Sequence, residues 1–254
     1  MAKTGGLGDN FYVQGLDLSG DTSALSKING GPAALEVTGI NKAATERLGG
    51  KRDAGMDFTA WFNPYSAGIP AGMYKLPTTD VIGTYFRGTA IGNDGAAMNA
   101  RQLNWDPTRG TDGSMSLACS LSSDAYGLEW GFQHTAGIQT DATGPTTSSA
   151  GYDDTGQAGL SFGAQVYIQV FSVTGTSVTI HLQDFTTDTP ASYVDITGLV
   201  TGAITPAMCP YAVRLATANN ALVRRWTRVQ TTGTYTNAMF AILFCRNLVA
   251  GQAF

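Results

Sequence analysis

Apolar and polar residues alternate along this chain over many short runs, and almost no stretch keeps its apolar residues at helical spacing. Alternation with a period of two puts one side of a segment in a core and the other in water, so these runs predict β-strands. They fall at 34–40, 56–62, 81–87, 97–105, 114–121 and 127–134, and again at 162–173, 177–185, 192–196, 212–217, 222–231 and 238–245. Asn93-Asp94-Gly95 and Thr111-Asp112-Gly113 tolerate the positive φ of hairpin turns. Thr174-Gly175-Thr176 predicts a further hairpin. The one helical expectation is 41–48, NKAATERL, with Asn41 as N-cap and Gly49-Gly50 as the stop. The expected fold is therefore all-β.

Three stretches break the alternation. Residues 1–30 are rich in glycine and polar residues and predict an extended arm that orders on contact, with Phe11, Tyr12, Leu16 and Leu18 as its contact residues. Residues 63–80 hold Pro64, Gly68, Pro70, Gly72 and Pro77 and predict a long loop. Its apolar members, Tyr65, Ile69, Met73, Tyr74 and Leu76, predict a contact surface, since long loops in compact domains are usually functional. Residues 137–158 turn to Thr, Ser, Gly and Asp and predict a linker. The expected order is an arm (1–30), a β-sandwich or barrel domain with one short helix (31–136), the linker, and a jelly-roll-like sandwich (159–254).

Composition sharpens this picture. Of 254 residues only 13% are charged, against roughly 25% in an average domain, so much neutral polar surface is available for permanent contacts. A formal net charge of −4 argues against tight, sequence-specific nucleic-acid binding, which draws on many cation–phosphate contacts. Cys119, Cys209 and Cys245 are widely spaced and odd in number, and read as buried free thiols. No run is long and apolar enough to predict a membrane span or a leader segment, so assembly in a cytosol-like compartment is expected.

Candidate chemistry is sparse. His134 and His181 share no spacing with cysteine or carboxylates, so no metal or other cofactor is expected. There is no Gly-x-Ser-x-Gly elbow. Gly49 to Lys51 falls short of a phosphate loop, because Thr45 stands at its first glycine position and Arg52 at its Ser/Thr position. Asp153-Asp154 reads as a solvated turn pair. The sharpest charge feature is Arg224-Arg225-Trp226-Thr227-Arg228: on a strand, Arg224, Trp226 and Arg228 share a face, a ladder able to bind nucleic acid or sugar or to lie as an exposed, stacked β face.

The succession VTGINKAATERLGGKRDAGMDFTAWFNP, the loop to Asp80, the strand near 81–87, and RQLNWDPTRGTDGSMSLACSLSSDAYGLEWG resembles the major tail (tail tube) proteins of long-tailed bacteriophages. The resemblance is greatest to those of actinobacterial phages, which begin with a GLGDNFYV-like arm. It covers about residues 5–136. It implies hexameric rings stacked into a tube that passes DNA, with the arm and the 63–80 loop, Pro64 included, reaching the adjacent ring. It further implies self-association, other virion tail proteins as partners, transient DNA passage, no membrane partner, and location in the virion tail after assembly in the host cytoplasm. Glu46, Asp53 and Asp57 are then candidates for lumen or ring-contact charges. The alternative is a capsid decoration or glycan-binding virion protein using Arg224, Trp226 and Arg228. A hydrolase lacks a nucleophile–base set in the sequence.

Overall fold

The computed structural model describes residues 5–63, 73, 74, 76–144, 146, 147, 151–154 and 161–249. The fold is all-β and antiparallel, with strands β1 (Asn10–Val13), β2 (Leu16–Asp17), β3 (Thr22–Glu36), β4 (Arg47–Trp61), β5 (Val81–Phe86), β6 (Asp94–Gln102), β7 (Asp106–Arg109) and β8 (Met115–Ser123). There follow β9 (Glu129–Gln133), β10 (Gln139–Asp141), β11 (Thr146–Thr147), β12 (Tyr152–Asp153), β13 (Ala164–Phe185), β14 (Val194–Val200), β15 (Tyr211–Ala216) and β16 (Trp226–Arg246). Two 3-10 turns, Pro190–Ser192 and Pro206–Met208, are the helical elements among the described residues.

The chain forms two compact units that interleave in sequence. One draws on the chain up to Gly20, on Ile82–Ala97 and on Trp130 onward; the other is Asp21–Val81 with Met98–Glu129. The expected boundaries at 136 and 159 are not where the contacts divide. Residues 137–158, expected as a linker, instead supply β10, β11 and β12, each paired with β16. Polar strands can be recruited this way because the ladder is made by backbone groups, whatever the side chains.

In the first unit β13 and β16 pair from Ala164↔Arg246 to Phe185↔Trp226. The hairpin expected at Thr174-Gly175-Thr176 does not form. Gly175 (φ +128°) sits in an irregularity of the ladder opposite Tyr235, where a Cβ would lie 2.5 Å from the Tyr235 Cα. A bulge admits the extra residue and the strand runs on. Likewise 222–231 and 238–245 are one strand. Both faces of β13 are buried near its start: Val166, Ile168 and Val170 pack with Phe240, Ile242 and Phe244, while Tyr167 on the opposite face packs with Tyr12, Phe86 and Leu243.

That second layer corrects the expected arm. Phe11, Tyr12, Leu16 and Leu18 are buried within their own unit. β1 pairs with β5 from Asn10↔Phe86 to Val13↔Gly83. Tyr12 meets Phe86 and Phe171 edge-on, with centroids 5.4 and 5.1 Å apart. The buried Gln169 amide pins the turn between β1 and β2: its Oε1 accepts from Gly15 N–H at 2.6 Å, and its Nε2 donates to Ile82 O and Thr84 Oγ1, each at 2.9 Å. The glycines near the N-terminus mark tight turns; Gly15 (φ +74°) passes so close to Tyr211 that a Cβ would sit 2.5 Å from its nitrogen.

In the second unit the rows run β3, β4, β8, then β6 and β7 end to end along the far side of β8. Met56, Phe58 and Ala60 of β4 and Leu117, Cys119 and Leu121 of β8 are buried on a common face. The expected helix at 41–48 is absent. β3 and β4 form one long hairpin, closed where Val37 N–H donates to Glu46 O at 3.0 Å. NKAATERL lacks an apolar stripe to hold a helix against a core, whereas pairing from Thr22 to Glu36 satisfies the backbone on one side.

Candidate assembly surface

The β3–β4 hairpin has an anchored base and an unsupported outer half. At the base, Leu25↔Phe58 and Ile28↔Met56 tie it to the core face. Gly30 is needed there, since a Cβ would come within 2.5 Å of Leu128 Cβ. Ser23 and Ser26 occupy two irregularities of β3 and return hydroxyl hydrogen bonds to Thr59 O and Asp57 O, both at 3.1 Å. From Asn29 to Glu36 every β3 residue is exposed, as are Arg47 to Gly49 and Lys51 to Asp53 on β4. Leu35 stands directly opposite Leu48, and they are 51% and 59% exposed; Val37 and Ile40 lie bare in the turn. A two-stranded ribbon with both faces in water is marginal alone, and among the described residues nothing covers this outer half.

Among the described residues β3 pairs only with β4, and β7 only with β8. The four-row sheet therefore ends in an open edge on either side, a long one at β3 and a short one at β7. Both carry features that discourage indiscriminate pairing: Lys27, Pro32 and the irregularities on β3, and Pro107 with flanking charges on β7.

The water-facing side of the base is a groove of about 570 Å³, lined among others by Lys27, Asn29, Asp53, Asp57, Ser120 and Ser122. Lys27 Nζ lies 3.7 Å from Asp57 Oδ2 in a half-exposed pair. Asp53 Oδ1 accepts from the Ala54 N–H at 2.8 Å. Asp53 and Asp57 are thus brought together on one face, while Glu46 is apart in the hairpin turn, 3.1 Å from Lys42. In the 63–80 loop, Met73 is buried and its carbonyl accepts from Gln102 Nε2 at 2.8 Å, so it is a packing residue; Tyr74 is exposed. Pro64, Tyr65 and Ile69 lie outside the described residues.

The arginine run of the first unit is not a free ladder. Arg224 Nη1 donates to the buried Asp184 carboxylate at 2.8 Å, and Arg225 Nη2 to Asp153 at 2.6 Å. Arg246, itself buried, donates from Nε to Asp154 at 2.8 Å. Arg228 is buried, donates to Gln183 Oε1 at 2.9 Å and lies over the Tyr193 ring. Trp226 is half-buried at the start of β16, opposite Phe185. Asp153 and Asp154, expected as solvated turn residues, are the counter-charges that fasten β12 to β16. Sequence spacing could not reveal this, because the partners are 72 and 92 residues apart.

Both histidines are engaged within the first unit. His181 is held between Asp195 Oδ2 (3.0 Å to Nδ1) and Thr232 Oγ1 (2.9 Å to Nε2), a clasp across three strands. His134 is fully buried beside Phe132, Tyr152 and Phe244, with Nε2 2.9 Å from Thr227 Oγ1. Burial first, and the Arg246 charge second, push its pKa down to about 3. Among the described residues no group of three or more His, Cys, Asp or Glu could hold a metal ion, and no helix is long and apolar enough to cross a membrane.

No family model matches the chain, and no curated protein matches it. Solved structures similar to it include the Dit protein of phage SPP1, described as a paradigm of the hub adsorption apparatus in phages infecting Gram-positive hosts, at 12% identity and TM-score 0.32, over 94% of this chain and 99% of that one. Two others are the phage p2 baseplate in its activated conformation, with strontium (10% identity, TM-score 0.31) and with calcium (10%, 0.30), each over 94% of this chain and 98% of that one. TM-scores this low do not establish a shared fold.

Proposed function

We propose that this chain is a non-enzymatic structural subunit of a bacteriophage tail. It associates with copies of itself into rings, hexameric by the family resemblance, that stack around a channel for DNA and meet other tail proteins. The observation that carries this reading is the second unit's sheet, open at β3 and β7, with a hairpin whose outer half has no cover. Pairing β3 of one copy with β7 of the next is heterologous, and it closes a ring when the rotation per copy divides a full turn. The groove face suits a DNA conduit in its balance, since small hydroxyl side chains with Asp53, Asp57 and a single lysine do not retain a polyanion.

In the first unit Arg224, Arg225, Arg228 and Arg246 are engaged within the protein, so that arginine cluster is not offered to DNA. The glycan-binding alternative loses its main support, because Arg224 and Arg228 are engaged within the protein. The test is negative-stain microscopy with sedimentation velocity on the purified full chain. Rings or tubes are expected; a single sharp monomer at every concentration would reject the reading.

A further inference from the structure

The hairpin's outer half is charged oppositely to the body that carries it. Residues 32–52 hold Lys42, Arg47, Lys51 and Arg52 against Glu36 and Glu46, while the rest of that unit holds eight carboxylates against four cations. Lys42 is matched locally by Glu46. Among the described residues, Arg47, Lys51 and Arg52 make no ion pair; Arg52 reaches only the Leu128 carbonyl, at 3.3 Å. Next to these cations lies the Leu35–Leu48 pair, with Val37 and Ile40 beyond it. A basic, apolar-tipped ribbon on an acidic body repeats itself head to tail, because each copy offers both halves of the contact.

We propose that residues 32–52 are a docking arm that seats on a second copy of this chain. That copy covers Leu35 and Leu48, and its second-unit carboxylates meet Arg47 and Lys51. The inference rests on the self-assembly reading and specifies which contact sustains it: an electrostatically steered arm, in addition to strand-edge pairing. A nucleic acid is the poorer occupant, since phosphates would satisfy the cations and leave the four apolar side chains in water.

The test uses the full chain, as wild type, Arg47→Glu/Lys51→Glu and Leu35→Ser/Leu48→Ser. Assembly is followed by sedimentation velocity and microscopy between ~50 and ~500 mM salt, a range over which exposed charges become screened. Hydrogen exchange at Met56–Ala60 reports that the hairpin base stays folded. The expected result is an assembly midpoint raised about tenfold or more in both variants, with salt sensitivity lost in the charge variant and kept in the leucine variant. Wild-type assembly in both variants would overturn the docking arm and leave the ring reading standing. No assembly by any chain would overturn the ring reading itself. Salt-dependent binding of a short DNA duplex, lost in the charge variant and unchanged in the leucine variant, with assembly intact in both, would give the arm to DNA and overturn the proposal.

Discussion

Replacing Tyr12 separates an arm that belongs to its own subunit from one lent to a neighbour. The ring is fully buried and meets Phe86 and Phe171 edge-on. Truncating a buried aromatic ring to alanine costs about 3–5 kcal/mol, so Tyr12→Ala should destabilise the first unit by about 4 kcal/mol. At ~2–3 kcal/mol per M, that lowers its urea midpoint by roughly 1.5 M. The hydroxyl is a built-in control. Tyr12 Oη is buried with no hydrogen-bond partner among the described residues, and removing such a group forfeits nothing. Tyr12→Phe should therefore hold or slightly raise stability. Unfolding is measured by circular dichroism at several protein concentrations. If residues 5–20 were donated to a neighbour, Tyr12→Ala would change dilute protein by less than about 1 kcal/mol, and its defect would grow with concentration. That result would refute the assignment of Tyr12 to its own core.

Other consequences can be tested alongside. His134 titrates near 3 when folded and near 6.5 when unfolded, so its contribution is complete above pH ~6.5 and lost as pH falls toward 3. Between pH 6.5 and 5 the loss is about 2 kcal/mol, and His134→Gln should flatten that slope in urea titrations; equal slopes would contradict it. At Gly131 an added Cβ would lie 2.1 Å from the Phe244 carbonyl oxygen, so Gly131→Ala should lower thermal stability by at least about 1–3 kcal/mol, and an unchanged melting temperature would be inconsistent with the β9–β16 approach. Burial pushes the Cys119 thiol up to about 12; it should resist a disulfide reagent at pH 8 in native protein and react once denatured. Rapid native labelling at Cys119 would contradict its burial.

The period-two pattern made the all-β class legible, and the runs near 56–62, 81–87 and 114–121 fall on β4, β5 and β8. What could not be read was decided at long range. Gly175 looks like a turn locally and becomes a bulge only because Tyr235 lies opposite it. NKAATERL has helical propensity but no surface to pack on. Tyr12 sits in a glycine-rich stretch that looks unfit for a core, and its partners Phe86 and Phe171 are far along the chain. Asp53 and Asp57 share a strand face by simple alternation and could be paired from sequence. The role of Arg228 depends on Gln183 and Tyr193, which no local spacing discloses.

The ladder from Ala164↔Arg246 to Phe185↔Trp226 also dictates an order of events during synthesis. Asp21–Val81 and Met98–Glu129 have all left the ribosome before β13 is made, so the hairpin-bearing unit can collapse early. The first unit must wait for Arg246, which is translated after both of those segments and after β13, and its β1 layer waits with it. A nascent chain therefore carries an exposed ribbon well before its body is finished, and premature association between polysome neighbours is the hazard that Pro32, Lys27 and the edge irregularities of β3 restrain.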